Sequence, residues 1–181
     1  MKSGISFGWI GVNGLDEKQF FYQYIEEDIK RNIERIKKCI NDEKIIKSFI
    51  KKANVSLERL KNISNIKPVI SWYDINPNNI LINEKCAITG FLDPGGARFA
   101  AKEWDLAFIK MDLCQNKKEY DFFKRLYSRQ KYIDEDLLEI LTVIVELDDI
   151  AFQLEAKVKL PIAFESNFKK ELEYIQKEYL D

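Results

Sequence analysis

Ser71-Trp72-Tyr73-Asp74-Ile75-Asn76-Pro77-Asn78-Asn79-Ile80-Leu81-Ile82 is followed, past a short connection, by Phe91-Leu92-Asp93-Pro94-Gly95-Gly96. Three side chains with hard oxygens mark these segments: Asp74, Asn79 five residues later, and Asp93 fourteen after that. Pro68–Trp72 is short, branched and apolar, as a buried strand is, and Ile80–Ile82 and Cys86–Leu92 read as two more strands. Asn83-Glu84-Lys85 joins the second and third, and Asp93-Pro94-Gly95-Gly96 stops the third sharply. A turn therefore holds Asp74 and Asn79, while the hairpin returns Asp93 toward Asn79. Two oxygen ligands then converge on one point, as a hydrated Mg²⁺ requires, and the Asp74 carboxylate stays free for an incoming hydroxyl. The competing explanation is local, with Asp74 and Asn79 as turn formers around Pro77 and Asp93-Pro94-Gly95 as an ordinary turn.

On the N-terminal side, residues 1–15 hold four of the seven glycines, Gly4, Gly8, Gly11 and Gly14. Their spacing is not G-x-G-x-x-G, and they predict a loop or extended lead-in without a strand–turn–strand pattern. Asp16 is a fair N-cap for a helix with Phe20, Phe21, Tyr24, Ile25, Ile29, Ile33 and Ile36 on one side. A second helix is expected from about Asp42 to Ile63, broken near Asn54-Val55-Ser56. After residue 96 everything reads as helical, over 102–113, 117–129, 134–157 and roughly 164–180. The whole is an α+β chain, predominantly helical, around a small β insertion.

The 181 residues suit one domain, and 46% hydrophobic against 33% charged residues supply both a core and a solvated surface. A formal charge of -1 argues against a nucleic-acid partner held by whole-surface attraction. The chain has no histidine, which removes Ser-His-Asp and Cys-His mechanisms and His-based zinc sites. Cys39, Cys86 and Cys114 form no C-x-x-C and predict reduced thiols in a cytoplasmic protein. The N-terminus lacks the apolar run of a signal peptide, and no stretch predicts a membrane span.

The central pattern resembles the kinase-like phosphotransferases, specifically the aminoglycoside phosphotransferase and choline kinase-like branch. There the catalytic loop reads roughly H-G-D-x-x-x-x-N, followed by a strand pair and an I-D motif in place of D-F-G. Gly96-Ala97-Arg98 and Glu103-Trp104-Asp105-Leu106-Ala107 are similar to that family's stretch ending in D-L-A. The resemblance implies that Asp74 is the catalytic base and that Asn79 and Asp93 hold Mg²⁺ on the phosphates of ATP or GTP. It implies that Asp105 is a buried brace for the catalytic loop. Two positions depart from the pattern: Trp72 stands for the histidine and Tyr73 for the glycine.

The implied fold is the C-terminal lobe of the protein kinase-like fold, with residues 71–82 as catalytic loop and 91–96 as metal motif. No five-stranded lobe and no strand lysine precede Asp74, so residues 1–15 are expected to be a remnant of the inter-lobe connection and 16–181 the lobe itself. The implied activity is transfer of a γ-phosphoryl group to a hydroxyl of an aminoglycoside-like or amino-alcohol substrate, impaired in the isolated chain. A homodimer or a separately encoded N-terminal lobe is the expected partner; the alternative is a non-catalytic ligand- or partner-binding module. Residues 133–181 carry 13 acidic and 5 basic side chains. Within them Glu146, Asp148, Asp149 and Glu155 share one helix, and Asp148, Asp149 and Glu155 are candidates for an anionic rim meeting a cationic substrate, against a plain solvated face.

Overall fold

The computed structural model describes residues 7–11, 14–15, 20–73, 75, 77–114, 116–129 and 132–159. Its first long helix, α1 (Phe21–Cys39), buries Phe21, Tyr24, Ile25, Ile29, Ile33 and Ile36. That stripe follows the 3.6-residue period of the sequence. Phe20 was expected on the same stripe, but it stands just before the helix and is exposed. Its backbone N–H is taken by the Gln23 side chain at 3.2 Å. Asp16, the expected N-cap, lies outside the described residues.

Helix α2 (Glu43–Lys61) is capped by Asp42, whose Oδ1 accepts the N–H groups of Lys44 at 2.8 Å and Ile45 at 3.2 Å. It runs unbroken through Asn54-Val55-Ser56, contrary to expectation. Asn54 and Val55 point to solvent, while Ala53, Ser56 and Leu57 lie on the buried side, so packing on both flanks carries the helix across weak formers.

Residues 8–15 also differ from expectation. Strands β1 (Gly8–Gly11) and β2 (Gly14–Leu15) pair antiparallel, with Gly11 opposite Gly14, so Gly8, Gly11 and Gly14 sit on paired strands, and Gly4 lies outside the described residues. The partner that holds them was missed as well. Strand β6 (Arg98–Ala100) lies between β1 and β3 (Val69–Ser71), and the sheet order is β2-β1-β6-β3. Three residues give no period to read, and it is the two flanking strands that make them a strand. Strands β4 (Ile80–Ile82) and β5 (Ile88–Phe91) form the expected separate hairpin, with Ile80 opposite Phe91.

Beyond the sheet, α3 (Glu103–Phe108) continues into a π-helical turn, Ile109–Leu113, closed by the Cys114 N–H on the Ile109 carbonyl at 3.1 Å. Helices α4 (Lys117–Ser128) and α5 (Glu135–Lys159) complete the described chain. Helix α5 packs against α1, α2 and α3. It buries Leu138, Leu141, Ile144, Val145, Ala151 and Leu154 among Ile25, Ile36, Phe49, Leu60, Trp104 and Leu106, which makes it the centre of the core. The predicted 164–180 helix lies outside the described residues. No described helix is long and apolar enough to cross a membrane.

Candidate active site

The central segment is built at the end of β3. Ser71 pairs across the sheet with Arg98, and the chain leaves the strand through Trp72 and Tyr73. A 3₁₀ turn, Pro77–Asn79, then feeds directly into β4. Asp74, the sequence candidate for the base, lies outside the described residues, as does Asn76. On the far side of the hairpin, the Leu92 N–H donates to the Asn79 carbonyl at 2.8 Å. That bond extends the β4–β5 ladder and brings the chain at Asp93 back beside Asn79.

Asn79 is half-buried and Asp93 exposed. Asp93 adopts φ 52°, a left-handed conformation that aspartate tolerates better than most residues. Its Oδ1 accepts the Gly95 N–H at 3.2 Å, which orders the turn. The amide oxygen of Asn79 and the Asp93 carboxylate are hard donors, the type a hydrated Mg²⁺ selects. Among the described residues no group of three or more His, Cys, Asp or Glu side chains is placed to hold a metal ion.

Asp105 reaches the loop from α3. Its Oδ1 accepts the Ser71 hydroxyl at 2.5 Å, and its carboxylate also takes the backbone N–H groups of Trp72 and Tyr73. Burial pushes its acidity toward higher pH, and these donors oppose that rise without cancelling it. A carboxylate that accepts from three successive residues fixes where the strand ends and the loop begins.

Tyr73 and Arg98 are functional candidates that sequence reasoning passed over. Tyr73 has φ 73°, a conformation costly for a bulky residue, and it stands where the family motif has glycine. Its ring lies 3.3 Å beneath the Arg98 guanidinium and packs on Phe108 at 4.4 Å between centroids, and its hydroxyl donates to Asp148. Arg98 is fully buried. It donates from Nε to the Gly96 carbonyl at 3.2 Å and to the Tyr24 hydroxyl, and pairs with buried Asp28 at 3.5 Å. Burial raises the pKa of Asp28 above its ordinary value, and Arg31 and Arg98 pull it back only in part. The detectable signal was the tyrosine replacing a glycine. Arg98 entered the sequence reading only within Gly96-Ala97-Arg98, and nothing there marked it as a buried cation.

Trp72, in the place of the family histidine, packs its ring against Phe91 of β5 at 5.7 Å. The acidic candidates on α5 are engaged from within. Arg35 of α1 contacts Asp148 at 3.0 Å and Glu155 at 3.1 Å, and Asp149 accepts from Gln153 at 2.7 Å. Glu146 meets Lys52 at 3.7 Å. A groove of about 910 Å³ on α4 and the start of α5, lined by Lys118, Lys124, Arg125 and Tyr132 among others, contains none of the sequence candidates.

No family model and no curated protein sequence matches the chain. Its structure resembles that of a thermostable mutant of aminoglycoside phosphotransferase APH(4)-Ia in the apo form, with TM-score 0.64 and 17% identity. It resembles the ternary complex of such a mutant with AMP-PNP and hygromycin B equally, with TM-score 0.65 and 14% identity. The likeness covers 83% of this chain and 51% and 50% of those two chains, so the protein spans about half their length. At that identity the likeness speaks for architecture, and the chain has, over that half, the fold of an aminoglycoside phosphotransferase.

Proposed function

We propose that this chain is the C-terminal lobe of a small-molecule O-phosphotransferase, with residues 1–15 as the remnant of the inter-lobe connection. The single observation that carries the proposal is the Leu92–Asn79 hydrogen bond, which brings Asn79 and the Asp93 turn together in the order the motif requires. Asp74 accepts the proton of the substrate hydroxyl as its oxygen bonds to the γ-phosphorus. The bond from that phosphorus to the β–γ bridging oxygen breaks, and a nucleoside diphosphate leaves. Asn79 and Asp93 would hold Mg²⁺, which supplies charge neutralisation at the phosphate oxygens. Asp105 braces the loop through Ser71, Trp72 and Tyr73.

The nucleotide is ATP or GTP, the acceptor an aminoglycoside-like or amino-alcohol hydroxyl, and the compartment the cytoplasm. Of the α5 carboxylates, Asp148, Asp149 and Glu155 form the rim toward a cationic acceptor, with Arg35 offsetting two of them. The experiment is transfer of label from γ-labelled ATP and GTP with Mg²⁺ to a panel of amino-alcohols and aminoglycosides. Slow transfer that Asp74→Ala abolishes is expected of the isolated lobe. The reading fails if neither nucleotide binds, or if transfer is indifferent to Asp74→Ala.

A second reading, a partner-binding module, is favoured by one observation. Leu81, Ile82, Ile88, Phe91 and Leu92 of the β4–β5 hairpin are all exposed, an apolar surface that a companion lobe or a second copy would cover. Light scattering tests it: a monomer whose state is unchanged by Ile82→Lys speaks against a second copy.

A further inference from the structure

The left-handed tyrosine before Asp74 has a consequence beyond the loop itself. Its ring touches three separately encoded parts of the site: Arg98 on β6, Phe108 on α3, and the metal-motif turn through Gly96. A methyl group on Gly96 would lie 2.7 Å from Tyr73 Cδ1 and 3.2 Å from its Cβ, so the turn is pressed against the ring. The guanidinium that stacks on the ring also holds the Gly96 carbonyl. Ring and turn are thus gripped by one buried cation, itself anchored to Tyr24 and Asp28 of α1. A side chain paying the cost of φ 73° while held by Arg98, Phe108, Gly96 and Asp148 at once is over-determined by its surroundings, as strained residues at working sites are.

We infer that Tyr73 is a positioning residue: clamped beneath Arg98 and against Gly96, it sets the spacing between the loop that carries Asp74 and Asn79 and the turn that carries Asp93. In the family motif the corresponding glycine has no side chain, so that spacing must be set by other means. Here the tyrosine fills the gap, and it obliges residue 96 to be glycine. The structural coupling stands on the contacts above. Its consequence for metal binding rests on the phosphotransferase reading.

A double-mutant cycle tests the coupling. Gly96→Ala lowers the melting temperature in the Tyr73 background and lowers it much less beside Tyr73→Gly, where the methyl meets no ring. Tyr73→Gly suits the left-handed backbone, and Tyr73→Asn repeats the cycle with another residue that tolerates it. Hydrogen exchange supplies a readout that general destabilisation does not move: Tyr73→Gly speeds exchange in 72–80 and 92–98 together and leaves α1 and α5 protected. Tyr73→Phe keeps the ring and restores slow exchange in both segments. Equal cost of Gly96→Ala in both backgrounds overturns the inference, as does loosening of one segment without the other.

Mn²⁺ titration followed by water-proton relaxation reads the functional consequence. Tyr73→Gly weakens binding by about 10-fold or more, the usual loss when a support behind a metal ligand is removed. Wild-type protein that binds no Mn²⁺ sinks the phosphotransferase reading and leaves the clamp to be decided by the cycle and the exchange pattern.

Discussion

Leu92 donates its backbone N–H to the carbonyl of Asn79 at 2.8 Å, and so couples the end of one loop to the start of the other. The side chain of Asn79 belongs to one of the bonded residues, and that of Asp93 follows the other directly. A main-chain bond thus fixes the relation between two oxygen-bearing side chains, and the bond itself uses neither of them.

Asp93→Asn therefore separates binding from folding. Asparagine accepts the left-handed backbone as aspartate does, and the position is exposed, so the stability change stays within about 0.5 kcal/mol. Divalent-ion affinity falls by about 10-fold or more with loss of the charged ligand. Thermal unfolding and Mn²⁺ titration on the same sample check both halves. Unchanged affinity removes Asp93 from the metal site.

Glu103 is a structural carboxylate of a different kind. Only 1% of it is exposed, its Oε1 accepts the Asp134 N–H at 3.0 Å, and Lys102 approaches at 3.4 Å. Asp134 in turn caps α5 through the Leu137 N–H at 3.0 Å. Glu103→Ala leaves the half-buried Asp134 N–H at the head of the central helix without its acceptor and costs about 2 kcal/mol. Glu103→Gln keeps the acceptor and costs about 1 kcal/mol. Urea midpoints distinguish the two; equal losses place the effect in packing and not in the hydrogen bond.

The β4–β5 hairpin was legible because it is short-range. Two short, branched apolar runs, the Asn83-Glu84-Lys85 connection and the Asp93-Pro94-Gly95-Gly96 stop all act within a few residues of one another. What escaped was decided over distance. Arg98–Ala100 becomes a strand only because Val69–Ser71 and Gly8–Gly11 flank it. The glycine-rich lead-in becomes a hairpin because β6 offers an edge. Arg98 itself is a buried cation whose partners, Tyr24, Asp28 and Tyr73, lie far from it in sequence. The acidic run on α5 was visible, but its neutralisation by Arg35 from α1 was not, since no local pattern records which helix packs on which.

Arg35→Met tests what that neutralisation does. The guanidinium meets both oxygens of Glu155, at 3.1 and 3.2 Å, and one of Asp148, with all three side chains partly screened by solvent. Its loss costs about 1–2 kcal/mol, discounted for that exposure. If Asp148 and Glu155 face the acceptor, uncovering them strengthens aminoglycoside binding at low salt, and Arg35→Met/Asp148→Asn reverses the gain. Calorimetric titration reads it; weaker binding in Arg35→Met assigns the cation-binding face elsewhere.

Asp105 gives a pH dependence with a definite sign. Burial raises its folded-state pKa above the ordinary value of 3.8, the Ser71 hydroxyl and the Trp72 and Tyr73 N–H groups opposing that rise incompletely. Between the unfolded and the folded value, the folded protein keeps a proton that the unfolded chain has released. Stability from this group is therefore present in full below 3.8 and is lost as pH rises through the folded value. The amide introduced by Asp105→Asn does not titrate, yet its oxygen still accepts from Ser71. Asp28, raised in the same direction, is common to both proteins and cancels in the difference. Wild type thus loses stability relative to Asp105→Asn as pH climbs from 3.8, and the difference levels off once the carboxyl is ionised in both states. Urea midpoints across the acid-to-neutral range measure it. A wild-type advantage that grows with pH means that the three donors outweigh burial, and that Asp105 braces the loop as a carboxylate stabilised by its hydrogen bonds.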